Sequence, residues 1–172
     1  MAVLVTGGAG YIGSHMVWEL LDAGEEVVVL DRLSTGFAWA VAPEARLVVG
    51  DVADAGLVAR LIREHKVDAV IHFAGSIVVP ESVADPLAYY ENNTCKTRAL
   101  IETAVREGVP HFIFSSTAAV YGGAGLEPVR EDARLAPESP YGFSKLMSEW
   151  MLRDAAIAHD IRYTALRYFN VA

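Results

Sequence analysis

Cysteine is almost absent: Cys95 stands alone among 172 residues. No internal disulfide can form, and no cysteine-based zinc set. No His/Asp/Glu cluster has ligand spacing either, so no metal is expected. Basic residues are short, with 14 Lys and Arg against 22 Asp and Glu and a formal net charge of −8. With no basic cluster and no nucleic-acid motif, nucleic acid is not an expected partner. Long apolar runs are missing too. None approaches the roughly 20 residues of a membrane span, so no membrane association is expected. The chain opens on a strand-like segment and not on a charged, signal-type leader, so a cytoplasmic location is expected. It has no internal repeat, low-complexity tract or interdomain linker, and its length suits one domain with a sizeable core.

What is present begins with Thr6-Gly7-Gly8-Ala9-Gly10-Tyr11-Ile12-Gly13. The apolar run Ala2 to Val5 precedes it and reads as a buried strand. Ile12, Met16, Val17, Leu20 and Leu21 follow at helical spacing. Glycines at a strand-to-helix turn permit the tight bend, close approach of a pyrophosphate, and packing of helix on strand. The helix N-terminus would hold the phosphates. Gly24 is placed to end this helix in the left-handed conformation.

Glu26 to Asp31 is a second strand ending in an acid, 18 residues beyond Gly13. That is close to the roughly 20 expected of a carboxylate that accepts from a ribose 2′-OH. A 2′-phosphate would be repelled there, which favours NAD over NADP. Arg32 is the residue type an NADP site would use, and it sits next door.

Strands and helices then alternate. Strands are predicted at Ala45–Val49, Ala69–Phe73, His111–Ser115 and Ile161–Arg167. Asp54 is placed to cap a helix carrying Leu57, Val58, Leu61 and Ile62. Asp85-Pro86 opens a long helix reaching to about Gly108, and Ser139-Pro140 opens another reaching to about His159. This alternation predicts an α/β, Rossmann-type doubly wound parallel sheet, strand order 3-2-1-4-5-6, with helices on both faces. Leu33–Glu44 and Gly122–Ser139 are the long loops, placed where such sheets bind ligands.

Tyr141 and Lys145 fall at i and i+4 of the last helix. A tyrosine with a pKa near 10 is a poor base at neutral pH. Bringing it near neutrality requires roughly 4 kcal/mol of differential stabilisation. A lysine and the positive nicotinamide of an oxidised cofactor are the cations that would supply it. Ser115-Ser116-Thr117 ends the fifth strand at the right edge of the sheet, and Thr117 is the choice to orient a substrate hydroxyl. The bland alternative is that these hydroxyls only cap the strand.

These residues carry a resemblance. The chain resembles the extended short-chain dehydrogenase/reductase family, and within it the branch that epimerises nucleotide sugars at C4. The matching stretches are Thr6–Gly13, Gly50–Val52, His72–Gly75, Tyr89–Asn93, Phe114–Gly122, Pro140–Lys145 and Arg167–Asn170, in family order over nearly the whole chain. The resemblance implies bound NAD and inversion of C4 of a UDP-hexose (UDP-glucose/UDP-galactose) through a transient 4-keto sugar, a step of galactose metabolism. It gives Tyr141 the proton of the sugar 4-OH. Lys145 would depress the Tyr141 pKa and bind the nicotinamide ribose. Thr117 would hydrogen-bond the sugar oxygen. Gly7, Gly10, Tyr11, Ile12 and Gly13 would hold the cofactor's phosphates, and Asp31 and Arg32 would lie at its ribose. Asp51 and Val52 would flank the adenine. Phe73, Ala74, Gly75, Ser115 and Asn92 or Asn93 would line the cofactor site. Tyr168 would lie near the nicotinamide, and Asn170 would reach the UDP-sugar. A homodimer through the helices near Tyr89–Glu107 and Pro140–His159 is the family expectation.

Two departures stand out. Ile77 occupies a position where many of these epimerases carry lysine, although Val78, Val79, Pro80 and Glu81 remain as a substrate-side loop. The family also continues for about as many residues again beyond Ala172, so residues 1–172 are expected to be the NAD-binding domain, with the C-terminal substrate domain absent. Sibling dehydratases place Asp-Glu just after the Thr of the Ser-Ser-Thr turn, and decarboxylases an acid at the second position; this chain has Ala118-Ala119. A non-catalytic NAD-binding module is the alternative from another class, and intact Tyr141 and Lys145 argue against it. Elsewhere, His72 is expected to be a packed core residue. Cys95 is expected to be small and buried, and Trp18 and Trp150 to pack. Trp39 would border the adenine or cover the sheet edge. Arg60, Arg63, Glu64 and Lys66 read as a solvated helix face.

Overall fold

The computed structural model describes residues 1–123 and 128–171. Short runs rich in β-branched residues form the inner strands. Ala2–Thr6 (β1) and Val28 to Leu30 of Glu26–Asp31 (β2) are buried throughout, as strands covered on both faces must be. Arg46–Val49 (β3), Val67–His72 (β4), His111–Thr117 (β5) and Arg162–Tyr168 (β6) complete the sheet. All five pairings are parallel, in the order β3-β2-β1-β4-β5-β6. This is the predicted doubly wound order.

Side chains alternate across the sheet and build two cores. Leu4, Val28, Leu30, Val70, Phe112 and Phe114 face one way. They pack on Ala55–His65 (α2), Lys96–Arg106 (α5) and Pro140–Ala158 (α6) through Leu61, Leu100 and Leu152. Val3, Val5, Val27, Val29 and Ile71 face the other way, onto Tyr11–Asp22 (α1) through Val17, with Val41 and Ala42 beside it. On that second face Ile113 joins the core only in part, and its register partner Thr164 is exposed.

Local signals account for the helix ends. Asp54, Asp85 and Ser139 each accept a backbone N–H at their helix starts. Pro86 and Pro140 occupy first-turn positions. Gly24 closes α1 at φ +80°. The helix opening at Asp85 is not continuous: Pro86–Tyr89 (α4) leads into a π-helical turn, Tyr90–Cys95, before α5 begins. A further short helix, Val79–Ala84 (α3), forms inside the stretch read as a substrate-side loop. The π-turn also overturns the reading of Cys95, whose thiol is exposed. Trp18 and Trp150 lie on outward helix faces at 46% and 44% exposure and are not core residues. Trp39 stacks on Phe37 and is exposed. The Gly122–Ser139 excursion is described except for residues 124–127.

Candidate active site

A cleft of about 1010 Å³ runs along the C-terminal ends of the strands. One end is built from backbone. Gly7 follows β1 at φ +73°, and a Cβ there would lie 2.5 Å from the Ala74 nitrogen. A Cβ on Gly13 would lie 2.2 Å from the Gly7 carbonyl oxygen. These two positions therefore admit only glycine, and the turn brings the start of α1 to the cleft. Gly10 caps that helix without a side chain, and the first turn carries no acid. Such an end favours anions. Gly7, Gly10, Tyr11, Ile12 and Gly13 all line the cleft.

Asp31 ties this turn to β2. One carboxylate oxygen accepts the Ala9 N–H at 3.0 Å and the other the Leu33 N–H at 2.8 Å. Each oxygen keeps a lone pair for a further donor. Arg32, Asp51 and Val52 continue the same wall, with Ser34, Thr35 and Gly36 from the following loop. Asp51 accepts from Lys96 at 2.6 Å and from Arg32 at 3.3 Å. Burial works to raise the Asp51 pKa. The hydrogen bonds from Lys96 and from the Ala53 N–H, with the Lys96 and Arg32 charges, outweigh it and hold the carboxyl below its usual range.

Phe73, Ala74 and Gly75 form the floor after β4. Of the two asparagines left open by the sequence, Asn92 lines the cleft and donates to the Ser76 hydroxyl at 2.9 Å. Asn93 is buried and braces the wall instead. It accepts the Ser76 N–H at 2.7 Å and donates to the Ser144 hydroxyl at 3.1 Å. The π-turn sets these two neighbours to different tasks, a placement often found at functional sites. Tyr89 anchors the next segment by hydrogen bonds to Val78 and Glu81. Ile77 stands open at 68% exposure on the cleft wall.

The other end is built from side chains. Tyr141, in the first turn of α6, hydrogen-bonds Thr117 at the end of β5. Thr117 also accepts the Ala119 N–H at 3.1 Å, so it caps the turn and holds the phenol at once. Lys145 is buried, donates to the Ser115 carbonyl at 3.0 Å, and lies 5.0 Å above the Phe114 ring. Burial brings its pKa down to about 8. Burial also pushes the Tyr141 phenol up, with Thr117 opposing. The expected lowering by Lys145 is thus not realised in the chain alone. Tyr168 and Asn170 reach the cleft from β6 and the residues after it.

Behind this end lies a pair the sequence reading missed. Glu149, four residues beyond Lys145, is buried and accepts from Ser116 and from Arg167, the latter at 2.7 Å. Arg167 also donates to the Tyr121 hydroxyl at 2.9 Å and the Glu131 carbonyl at 3.0 Å. The network clamps β5, β6 and α6 where Ser115, Thr117 and Lys145 are presented. Its signal was the i+4 spacing from Lys145. Lys96 was likewise missed, because the π-turn that aims it has no clear sequence mark. His72 is a core residue as read. It bridges Thr6 at 2.6 Å and Thr97 at 2.8 Å and stacks on Phe114. Among the described residues no three His, Cys, Asp or Glu side chains group to hold a metal, and no helix is long and apolar enough to cross a membrane.

The parallel sheet with its ligand cleft at the strand ends defines a Rossmann-type domain. The chain belongs to the NAD dependent epimerase/dehydratase family, which it matches over residues 3–172. It is 56% identical over 170 residues to a UDP-glucose 4-epimerase of Azospirillum brasilense, covering 99% of this chain and 49% of that protein. Among solved structures, the UDP-glucose 4-epimerase of Brucella ovis in complex with NAD superposes with a TM-score of 0.95 at 44% identity, covering 98% of this chain and 52% of the other. The Thermotoga maritima UDP-glucose 4-epimerase with UDP-glucose gives 0.93 at 36%, covering 98% and 55%. The chain spans about half the length of the curated relatives it matches.

Proposed function

We propose that residues 1–172 form the NAD-binding and acid–base domain of an enzyme that inverts C4 of a UDP-hexose. The observation that carries this reading is the meeting of Tyr141, Thr117 and Lys145 with the glycine turn in one cleft. The residues fit the cofactor. Gly7 and Gly13 let the turn close where a Cβ would meet backbone at 2.5 and 2.2 Å, which holds the start of α1 at the cleft for a pyrophosphate, and Asp31 retains acceptor capacity for ribose hydroxyls. NAD, when bound, would supply a reversible hydride acceptor for C4 of the sugar.

Tyr141 takes the proton of the sugar 4-OH as a phenolate and returns it after the 4-keto sugar has turned over. Thr117 holds the same oxygen through its hydroxyl. Lys145 binds the nicotinamide ribose and, while charged, favours the phenolate. Burial raises Tyr141 and lowers Lys145, so a working base needs positive charge from the bound cofactor. Asn170 is assigned to the UDP-sugar and Tyr168 to the nicotinamide side. Ala118 and Ala119 line the cleft just after Thr117, and their methyl groups cannot perform acid–base elimination, which favours epimerisation over dehydration. The reading includes a cytoplasmic homodimer. Phe143, Trp150 and Ile157 support the dimer: they recur every seven residues along α6 and are 41%, 44% and 80% exposed.

The test is Tyr141→Phe. Interconversion of UDP-glucose and UDP-galactose should vanish while NAD remains bound. Full activity in the variant would refute the acid–base assignment.

A further inference from the structure

Resting on the NAD reading above, we infer that Asp51 sets the choice of NAD over NADP by holding Arg32 and Lys96 away from the adenosine ribose. Three elements converge here. Arg32 follows β2, Asp51 follows β3, and Lys96 opens α5 directly after the π-turn. All three line the cleft beside Asp31. A single oxygen, Asp51 Oδ2, accepts from both cations, Lys96 Nζ at 2.6 Å and Arg32 Nη1 at 3.3 Å. Its Oδ1 is fixed by the Ala53 N–H at 2.9 Å. The strand ends are tied together by the Gly50 N–H donating to the Asp31 carbonyl at 3.0 Å.

A 2′-phosphate is a near-dianion that binds by charge-assisted hydrogen bonds from Arg or Lys. The two cations within reach are engaged by one carboxylate. Recruiting them would strand Asp51 and bring the phosphate against both Asp51 and Asp31. A 2′-hydroxyl requires no such exchange and finds Asp31 as its acceptor. Asp31 acts on the ribose directly. Asp51 acts through Arg32 and Lys96, which makes it a specificity residue and not a catalytic one.

The experiment is calorimetric titration of the protein with NAD and with NADP. Wild type should prefer NAD. Asp51→Asn keeps the shape and the Ala53 contact, and should raise the NADP-to-NAD affinity ratio about tenfold, a difference of about 1.4 kcal/mol. Adding Arg32→Gln and Lys96→Gln to that variant should return the ratio to the wild-type value. With Asp51 intact, the Arg32→Gln/Lys96→Gln double variant should not raise the ratio, since it leaves the Asp51 carboxylate without its two counter-charges beside the ribose. The ratio cancels any loss common to both nucleotides, so a merely structural role does not move it. An unchanged ratio in Asp51→Asn with NAD still bound overturns the inference. So does a gain that survives removal of the two cations, or a rise of the ratio in the double variant. Binding of neither nucleotide by wild type overturns the cofactor reading itself, a distinguishable failure.

Discussion

The two ends of the cleft are made differently. The glycine end is main chain: Gly7 and Gly13 leave no room for a Cβ, and Asp31 locks the turn through two backbone amides. The tyrosine end is side chain. Tyr141, Thr117 and Lys145 come from α6 and β5 and are braced by the buried Glu149 and its half-buried partner Arg167. Backbone geometry is set once the chain folds, so the first end is ready for anions as it stands. Ionisation is set by neighbours, and at the second end burial holds the phenol above its ordinary value, with the Thr117 hydrogen bond opposing. One end is preorganised in shape, the other in position alone.

Changes at the two ends should therefore separate chemistry from binding. The largest effect is Tyr141→Phe, which should lower turnover about 10³-fold or more with NAD affinity unchanged by titration. A parallel loss of NAD affinity would merge the two ends. Next is Gly13→Val. Its side chain would overlap the Gly7 carbonyl, and thermal unfolding should show a loss of about 3 kcal/mol together with NAD binding. A stable, NAD-binding variant would mean the turn is not a rigid cradle. Asp31→Ala should weaken NAD about tenfold and NADP less. Equal losses would remove Asp31 from the ribose.

The smallest effect concerns the strut between the ends. His72 touches Thr6 before the glycine turn and stacks on Phe114 beneath Lys145. Burial, helped by the Lys145 charge, lowers its pKa from 6.5 to about 3. Between those values the unfolded chain takes up a proton that the folded chain does not. Stability contributed by neutral His72 is complete above pH 6.5 and is lost as pH falls toward 3. Unfolding free energy should drop by about 1 kcal/mol from pH 6.5 to 5.5 through this group. His72→Gln should flatten that slope in denaturant titrations. An unchanged slope would show that His72 does not carry it.

Legibility in the sequence divides along the same line. The strand order and the glycine turn followed from period and spacing, since Gly7, Gly13 and Asp31 act through backbone constraints that local sequence records. The positions of Tyr141, Lys145 and Thr117 were also visible. Their ionisation was not, because burial of Tyr141 and Lys145 depends on packing from distant elements. The π-turn at Tyr90–Cys95 escaped notice for a related reason. One extra residue per turn leaves the composition helical, and only tertiary contacts of Asn93 with Ser76 and Ser144 show why it is there. Cys95 was misplaced as a consequence. Glu149 and Lys96 carried no reading from the sequence, because their partners Arg167 and Asp51 lie 18 and 45 residues away along the chain.

The most direct measurement is the nucleotide released when the purified protein is denatured, identified by chromatography and mass. About one NAD per chain is the expected result, retained in Tyr141→Phe and lost in Gly13→Val. A protein that releases no nucleotide and takes up no added NAD would contradict the assignment of this cleft to a dinucleotide.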